Sequence, residues 1–185
     1  MKRKSKAEWL KEGFRVLSEF NQDKLRVQYL CERLGVTRGS FYHHFEGIDG
    51  YVDALMVEWK EQNTLEFIDE ADKSLDPGGK MERLNARVVQ TNQAIESGIR
   101  SWSLYHPVVK QTVKEVDRIR MNYLKKIYLE MGKGEKEAGY LAQMEYALLV
   151  GVQLLFPNIK EEEMRRMYGV YKDHQQSYAQ DPLDT

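Results

Sequence analysis

The sequence holds a single cysteine in 185 residues, which excludes an intrachain disulfide and any zinc site built on a cysteine cluster. Four prolines and thirteen glycines are too few for a collagen-like or low-complexity chain. Long apolar runs are missing too. The longest segment without Asp, Glu, Lys or Arg, Tyr146 to Ile159, has fourteen residues and contains Pro157 and Asn158, against the roughly 20 that a bilayer span needs. The basic start Met1-Lys2-Arg3-Lys4 leads into Glu8, Lys11 and Glu12, where a signal peptide requires an apolar stretch. Signatures of catalysis are also lacking: there is no His-Glu-x-x-His, no glutamate three residues ahead of any of the four histidines, and no Gly-x-Gly-x-x-Gly. Lys133-Gly134-Glu135 is no phosphate loop, and His106, just before Pro107, reads as a turn cap rather than a catalytic group. The expectation is a cytoplasmic protein that is not an enzyme, with no catalytic residue, no metal, no cofactor and no membrane partner.

What is present is helical. Hydrophobic residues make up 42% and charged residues 31% of the chain, and the apolar positions recur near 3.6 rather than 2. Leu10, Phe14 and Leu17 share one helix face; Val52, Leu55, Met56, Trp59 and Asn63 share another. Breaks fall at Asp76-Pro77-Gly78-Gly79, His106-Pro107, Gly132-Lys133-Gly134 and Pro157-Asn158. The pattern predicts an all-α fold of nine helices, at about 5–20, 27–34, 38–45, 48–74, 79–97, 99–105, 107–131, 134–156 and 160–178. Three short helices come first and long ones follow, which suggests a small module at 1–47, extending into the connecting helix to about residue 63, and a helical domain at 48–185.

Charge divides the chain in the same place. Residues 1–45 carry ten Lys/Arg against five Asp/Glu, a net of +5, whereas the whole chain nets −1. A basic end on an acidic body suits a polyanion, because clustered cations release condensed counterions on binding.

The stretch Arg26 to Phe45 has the makings of a helix-turn-helix. Cys31 is the small residue at the helix crossing, Gly35 serves the turn, and Val27, Leu30, Leu34, Val36, Phe41 and Phe45 are the packing set. Thr37 is placed to cap the second helix with its hydroxyl. A helix holding Phe41 and Phe45 inward would project Arg38, Ser40, His43 and His44 outward, with Tyr42 near the edge and Gly39 allowing close approach. Those residue types suit phosphates and base edges. Position by position they would also suit an ordinary helical hairpin with a polar surface.

The run Leu34-Gly35-Val36-Thr37-Arg38-Gly39-Ser40-Phe41-Tyr42-His43-His44-Phe45 resembles the DNA-binding signature of the TetR family of transcriptional regulators. The resemblance extends more softly over Ala94 to Leu129, with Trp102, His106-Pro107, Val116-Asp117 and Arg120, and over Ala147 to Leu155. It implies a three-helix DNA module, a connecting helix and a ligand-binding, dimerising domain. Tyr42 and His44 match phosphate-contacting positions; Arg38, Gly39, Ser40 and His43 match positions facing the major groove. Gln28 matches a base reader, and Arg26 sits where a helix end meets the DNA backbone. One departure stands out. Ile48 occupies the place where many members grip a phosphate with lysine, leaving the basic arm Lys2–Lys6 as the candidate substitute.

The eighth helix carries apolar residues on more than one face: Met144, Ala147, Leu148, Val150, Gly151, Leu154 and Leu155. It is either buried in its own domain or half of a subunit interface. The resemblance implies the interface, with Met164, Met167, Tyr168 and Tyr171 completing a four-helix seam. A two-fold homodimer would set two recognition helices roughly 34–36 Å apart and read a palindromic operator on double-stranded DNA. Trp59, Met81, Asn85, Val89, Asn92, Trp102, Tyr105, Tyr123, Ile127 and Met144 could line an effector pocket or simply form core. The resemblance further implies a repressor released by a small molecule, expected here to be largely apolar. A helical adaptor without sequence-specific DNA binding is the alternative.

Overall fold

The computed structural model describes residues 4–180, so Lys2 and Arg3 of the expected basic arm lie outside the described residues. Nine helical rods run through the described residues, with no strands among them. They are α1 (Lys6–Phe20), α2 (Val27–Leu34), α3 (Arg38–Tyr42), α4 (48–71), α5 (Pro77–Val89), α6 (Gln93–Trp102), α7 (Pro107–Glu130), α8 (Glu135–Leu155) and α9 (Glu161–Gln180). Within α4, residues Glu61–Leu65 widen into a π-helical turn, a local over-wide turn that is commonly found at functional sites.

Local chemistry accounts for most of the boundaries. Ser5 and Glu8 form a reciprocal capping box at the start of α1, each side chain meeting the other's backbone N–H. Asp76 accepts from the Gly79 N–H at 2.8 Å with Pro77 in the first turn, so α5 begins two residues earlier than expected. Gly35 ends α2 at φ 64°, a left-handed conformation that few other residues adopt cheaply. The expected helix over 79–97 is two helices instead. Asn92 takes an extended conformation and its side chain accepts from the Ala94 N–H, which starts α6 there and carries it to Trp102. Thr37 does sit at the N-cap of α3, but its hydroxyl makes no capping hydrogen bond; its carbonyl accepts from the Ser40 N–H at 3.0 Å. His106 likewise precedes α7 without a side-chain cap, its ring packed against Trp102 at 5.2 Å.

One buried cluster crosses the expected boundary at residue 47. It runs from Trp9, Leu17, Leu30, Cys31 and Phe41 through Tyr51, Leu55 and Trp59 to Ile99, Trp102, Val109 and Val116. Helix α6 therefore packs on α1. A Cβ at Gly98 would lie 3.3 Å from the Leu17 carbonyl oxygen, so the absent side chain is what permits this approach. Behind it, α7 and α8 pair along their lengths, and smaller apolar clusters hold α5 and α9 against them.

Candidate nucleic-acid interface and internal cavity

Helix α3 has only five residues, too short to hold its shape alone. It is held by Phe41, fully buried, whose ring meets Trp9 at 5.3 Å, Phe45 at 5.1 Å and Tyr51 at 5.5 Å. Tyr51 in turn donates its hydroxyl proton to the Trp9 carbonyl at 2.8 Å, tying α4 to α1. On the far side of the module, Arg33 of α2 donates to buried Glu12 at 2.7 Å and to Glu19 at 2.6 and 3.2 Å, fastening α2 to α1. That contact holds the Glu19 carboxyl below its usual range, chiefly through the Arg33 hydrogen bond.

With these anchors turned inward, Arg26, Gln28, Thr37, Arg38, Gly39, Tyr42 and His43 are exposed. Arg38 donates to the Gln28 amide oxygen at 3.0 Å, and Gln28 donates to Glu32 at 2.9 Å. The two side chains therefore form one polar row across α2 and α3. Glu32 was not singled out from the sequence; its spacing of four from Gln28 on one helix was the available signal.

Two residues expected to face outward do not. The Ser40 hydroxyl is buried without a hydrogen-bond partner. His44 is half-buried, and its Nε2–H donates to the Lys4 carbonyl at 2.7 Å; a carbonyl can only accept, so the proton is on Nε2. His44 thus pins the N-terminal arm beside α3. Lys4 extends the same latch by donating to Glu8 at 2.9 Å, and Lys6 lies over the Phe45 ring. With the Ser5 N–H, the strongest influence, and Lys4 both donating to it, the Glu8 carboxyl is drawn down to about 2. Ile48, at the expected phosphate-lysine position, is half-buried against the core, and Lys4 and Lys6 of the arm lie beside α3.

A cavity of ≈ 50 Å³ lies between α4, α5, α6, α7, α8 and α9. Of the residues expected to line a pocket, only Asn85 and Tyr123 do so. Asn92 borders a shallower groove beside α5. Trp59, Val89, Trp102 and Ile127 are buried packing residues, and Met81 is wedged between two apolar clusters. Tyr105 and Met144 point to solvent, 80% and 67% exposed. The misses share a cause: a stripe at helical spacing shows which residues turn inward, not whether they meet another side chain or a space.

A cluster of paired charged groups also borders the cavity. Glu96, 1% exposed, accepts from the Trp59 indole at 2.7 Å, Asn63 at 2.9 Å and Arg120 at 3.0 Å. Arg120 also donates to the Thr64 hydroxyl and the Asn63 carbonyl, both in the π-helical turn, at 3.0 Å. Burial pushes the Glu96 carboxyl up, but the charge and hydrogen bond of Arg120, with those of Asn63 and Trp59, outweigh it and leave it below its usual range. Beside this cluster, Arg100 of α6 donates to Asp117 at 2.8 Å and to the Tyr146 hydroxyl at 2.6 Å, and Tyr146 donates to Asp117 at 2.6 Å. Burial lifts Tyr146 to about 12, against the pull of Arg120 and Arg100.

Residues 10–55 match the family model of the bacterial regulatory proteins of the tetR family. The N-terminal module is that of the TetR family. The TetR-like fold continues over the rest of the chain. A transcriptional regulator from Rhodococcus sp. Rha1 superposes with a TM-score of 0.73 at 16% identity, covering 88% of this chain and 91% of that one. A proposed TetR-family regulator from Rhodococcus sp. gives 0.69 at 16% identity over 91% and 96%. A proposed regulator from Saccharomonospora viridis, solved with choline, gives 0.71 at 14% identity over 91% and 95%. No curated relative matches the sequence. No helix among the described residues is long and apolar enough to cross a membrane.

The TetR resemblance also set expectations for α8 and α9. Helix α8 turns Ala138, Ala142, Tyr146, Val152 and Gln153 into the protein and leaves Ala147, Leu148, Leu154 and Leu155 outside. Gly151 is half-buried, with open space where a Cβ would stand. Met167 is exposed and Tyr171 half-buried on α9. Met164 and Tyr168 face the other way: Met164 is 1% exposed against Val89 and Val152, and Tyr168 borders the cavity. They belong to the interior of the chain, because α9 packs on α5 and α8 through that side.

Proposed function

We propose that this protein is a transcriptional repressor that binds a palindromic operator as a homodimer and leaves it when a small molecule enters the cavity. The DNA-binding unit is then residues 1–47 with the start of α4, and residues 48–185 form the regulatory and dimerising unit. The observation that carries the DNA half is the exposed row of Gln28, Arg38, Tyr42 and His43 on a helix braced from behind by Phe41. The free arginine–glutamine pair would exchange its internal hydrogen bond for base edges, while Tyr42 and Arg26 meet phosphates. The outer row Ala147, Leu148, Leu154 and Leu155, with Met167, favours a two-fold helix seam.

Helix α6 supports the coupling. It touches α1 at Gly98, sends Glu96 into the cavity and holds Asp117 and Tyr146 through Arg100. A ligand that rearranges these groups would move α6, and the close packing of α6 on α1 at Gly98 would pass that movement to the DNA-binding module. The effector acts by preferring one of the two arrangements, which is all that a coupling free energy requires. A choline complex in a chain of similar fold is in keeping with a small-molecule site here.

The test is selection of genomic fragments by the purified protein followed by sequencing. One enriched palindrome is expected; no preferred sequence at several salt concentrations would leave either an effector-dependent binder or the adaptor reading. On the selected operator, Arg38→Ala is expected to cost about 1–3 kcal/mol and to relax preference at one base position. Tyr42→Phe should weaken all duplexes alike. Identical behaviour of the two variants would overturn this division of contacts.

A further inference from the structure

The cavity contains two groups that its own protein neighbours leave wanting. Glu145 lines it and accepts a hydrogen bond from the Tyr128 hydroxyl. Among the described side chains no lysine or arginine pairs with it, since Arg120 is engaged by Glu96 and Arg100 by Asp117. Counting Glu96, Arg120 and Glu145, the lining carries one uncompensated negative charge when Glu145 is ionised. Gln153, 2% exposed and two helical turns along α8, also lines the cavity, and its Oε1 has no donor. A buried acceptor such as the Gln153 oxygen is costly unless something donates to it.

The walls between them are aromatic. Tyr168, Tyr146, Tyr123 and Phe67 border the same space. Ring faces attract cations and repel anions. A volume of ≈ 50 Å³ is room for roughly three to five waters, which matches an ammonium head with a short tail and not a large apolar ligand.

We infer that the cavity binds a small organic cation, its ammonium group beside Glu145 among the tyrosines and a second hydrogen-bond donor reaching Gln153. An amino alcohol has this form. The inference rests on the effector reading above and names the ligand class for that site. Burial raises the Glu145 carboxyl above its ordinary range, and the Tyr128 hydrogen bond only partly opposes this; a bound cation would favour the ionised form, so binding should be accompanied by proton release.

The test is calorimetric titration of the purified full-length protein with ethanolamine and with choline. The neutral controls are n-propanol and the alcohol in which carbon replaces the choline nitrogen. The cations are expected to bind at least about tenfold more tightly than their neutral counterparts, the scale of one charge-assisted contact. Glu145→Gln keeps the Tyr128 partner and the side-chain shape, so it is expected to fold normally and to lose that preference. Gln153→Leu should weaken ethanolamine several-fold and leave n-propylammonium unaffected. Equal binding of cations and neutral isosteres, or full retention of the preference in folded Glu145→Gln, would overturn the inference. Operator affinity is then measured with and without saturating cation. Glu145-dependent binding that leaves operator affinity unchanged upholds the cation site and removes the effector reading. Release of the operator only by a neutral or anionic molecule does the reverse.

Discussion

Arg120→Met is expected to lower the stability of this protein by about 3–5 kcal/mol at neutral pH, read as the shift in a urea-unfolding midpoint. The size comes from what is left behind. Glu96 is 1% exposed and its Oε2 is held by Arg120, so the variant strands a carboxylate in the interior. The π-helical turn also loses the donor that satisfies the Thr64 hydroxyl and the Asn63 carbonyl. The double change with Glu96→Gln should recover part of the loss, because the stranded carboxylate is then removed. The pH dependence follows from the sign of the shift. In the native protein the Glu96 carboxyl is depressed, so its ionisation stabilises the fold above the ordinary carboxylate range, and this contribution fades as pH falls through the lowered value. In Arg120→Met the opposing charge is gone and only the Asn63 and Trp59 hydrogen bonds still counter burial, so the carboxyl is expected to rise and the variant to lose stability as pH rises through that raised value. The gap between the two proteins should therefore be widest near neutrality and narrow in acid. A pH-independent gap would mean that the cost lies in packing alone.

Phe41→Ala is expected to cost about 3–5 kcal/mol and to abolish operator binding. Phe41 is fully buried and touches Trp9, Phe45 and Tyr51, and the five-residue helix that it anchors has no other fully buried residue. Because the buried cluster is continuous from Trp9 to Val116, the loss should be felt by the whole chain. Unfolding followed by tryptophan fluorescence and by helical circular dichroism is expected to coincide, since Trp9 lies in the module and Trp59 and Trp102 lie beyond it. Two separated transitions would show that the module unfolds as an independent unit.

Much of this was legible along the chain. The all-α class and most helix ends follow from local rules, such as the period of apolar residues, Ser5 with Glu8, Gly35 in its turn and Pro107 at a helix start. The helix-turn-helix was legible for the same reason: Arg26 to Phe45 is a short segment whose packing set and exposed set interleave at fixed spacing. Even so, sequence could not say that Ser40 would bury its hydroxyl or that His44 would hold Lys4, forty residues away. An exposed or buried position on a helix wheel depends on what other segment comes to lie against it.

The cavity shows the other side of that limit. Asn85 and Tyr123 were within reach of a periodicity argument, and Glu96, Arg120, Glu145 and Gln153 were not. Charged residues on amphipathic helices are ordinarily placed in solvent, and nothing local distinguishes Glu96 from its exposed counterparts. By itself the sequence determined the helices, the turn that makes the DNA module and the division of charge between the two ends, because each depends on neighbours a few residues apart. Only the tertiary structure decided which polar groups are buried together, that α6 joins the cavity to α1, and which side of α9 faces inward. Those outcomes depend on helices that meet across 24 to 57 residues of chain, and such meetings are set by the packing of the whole core.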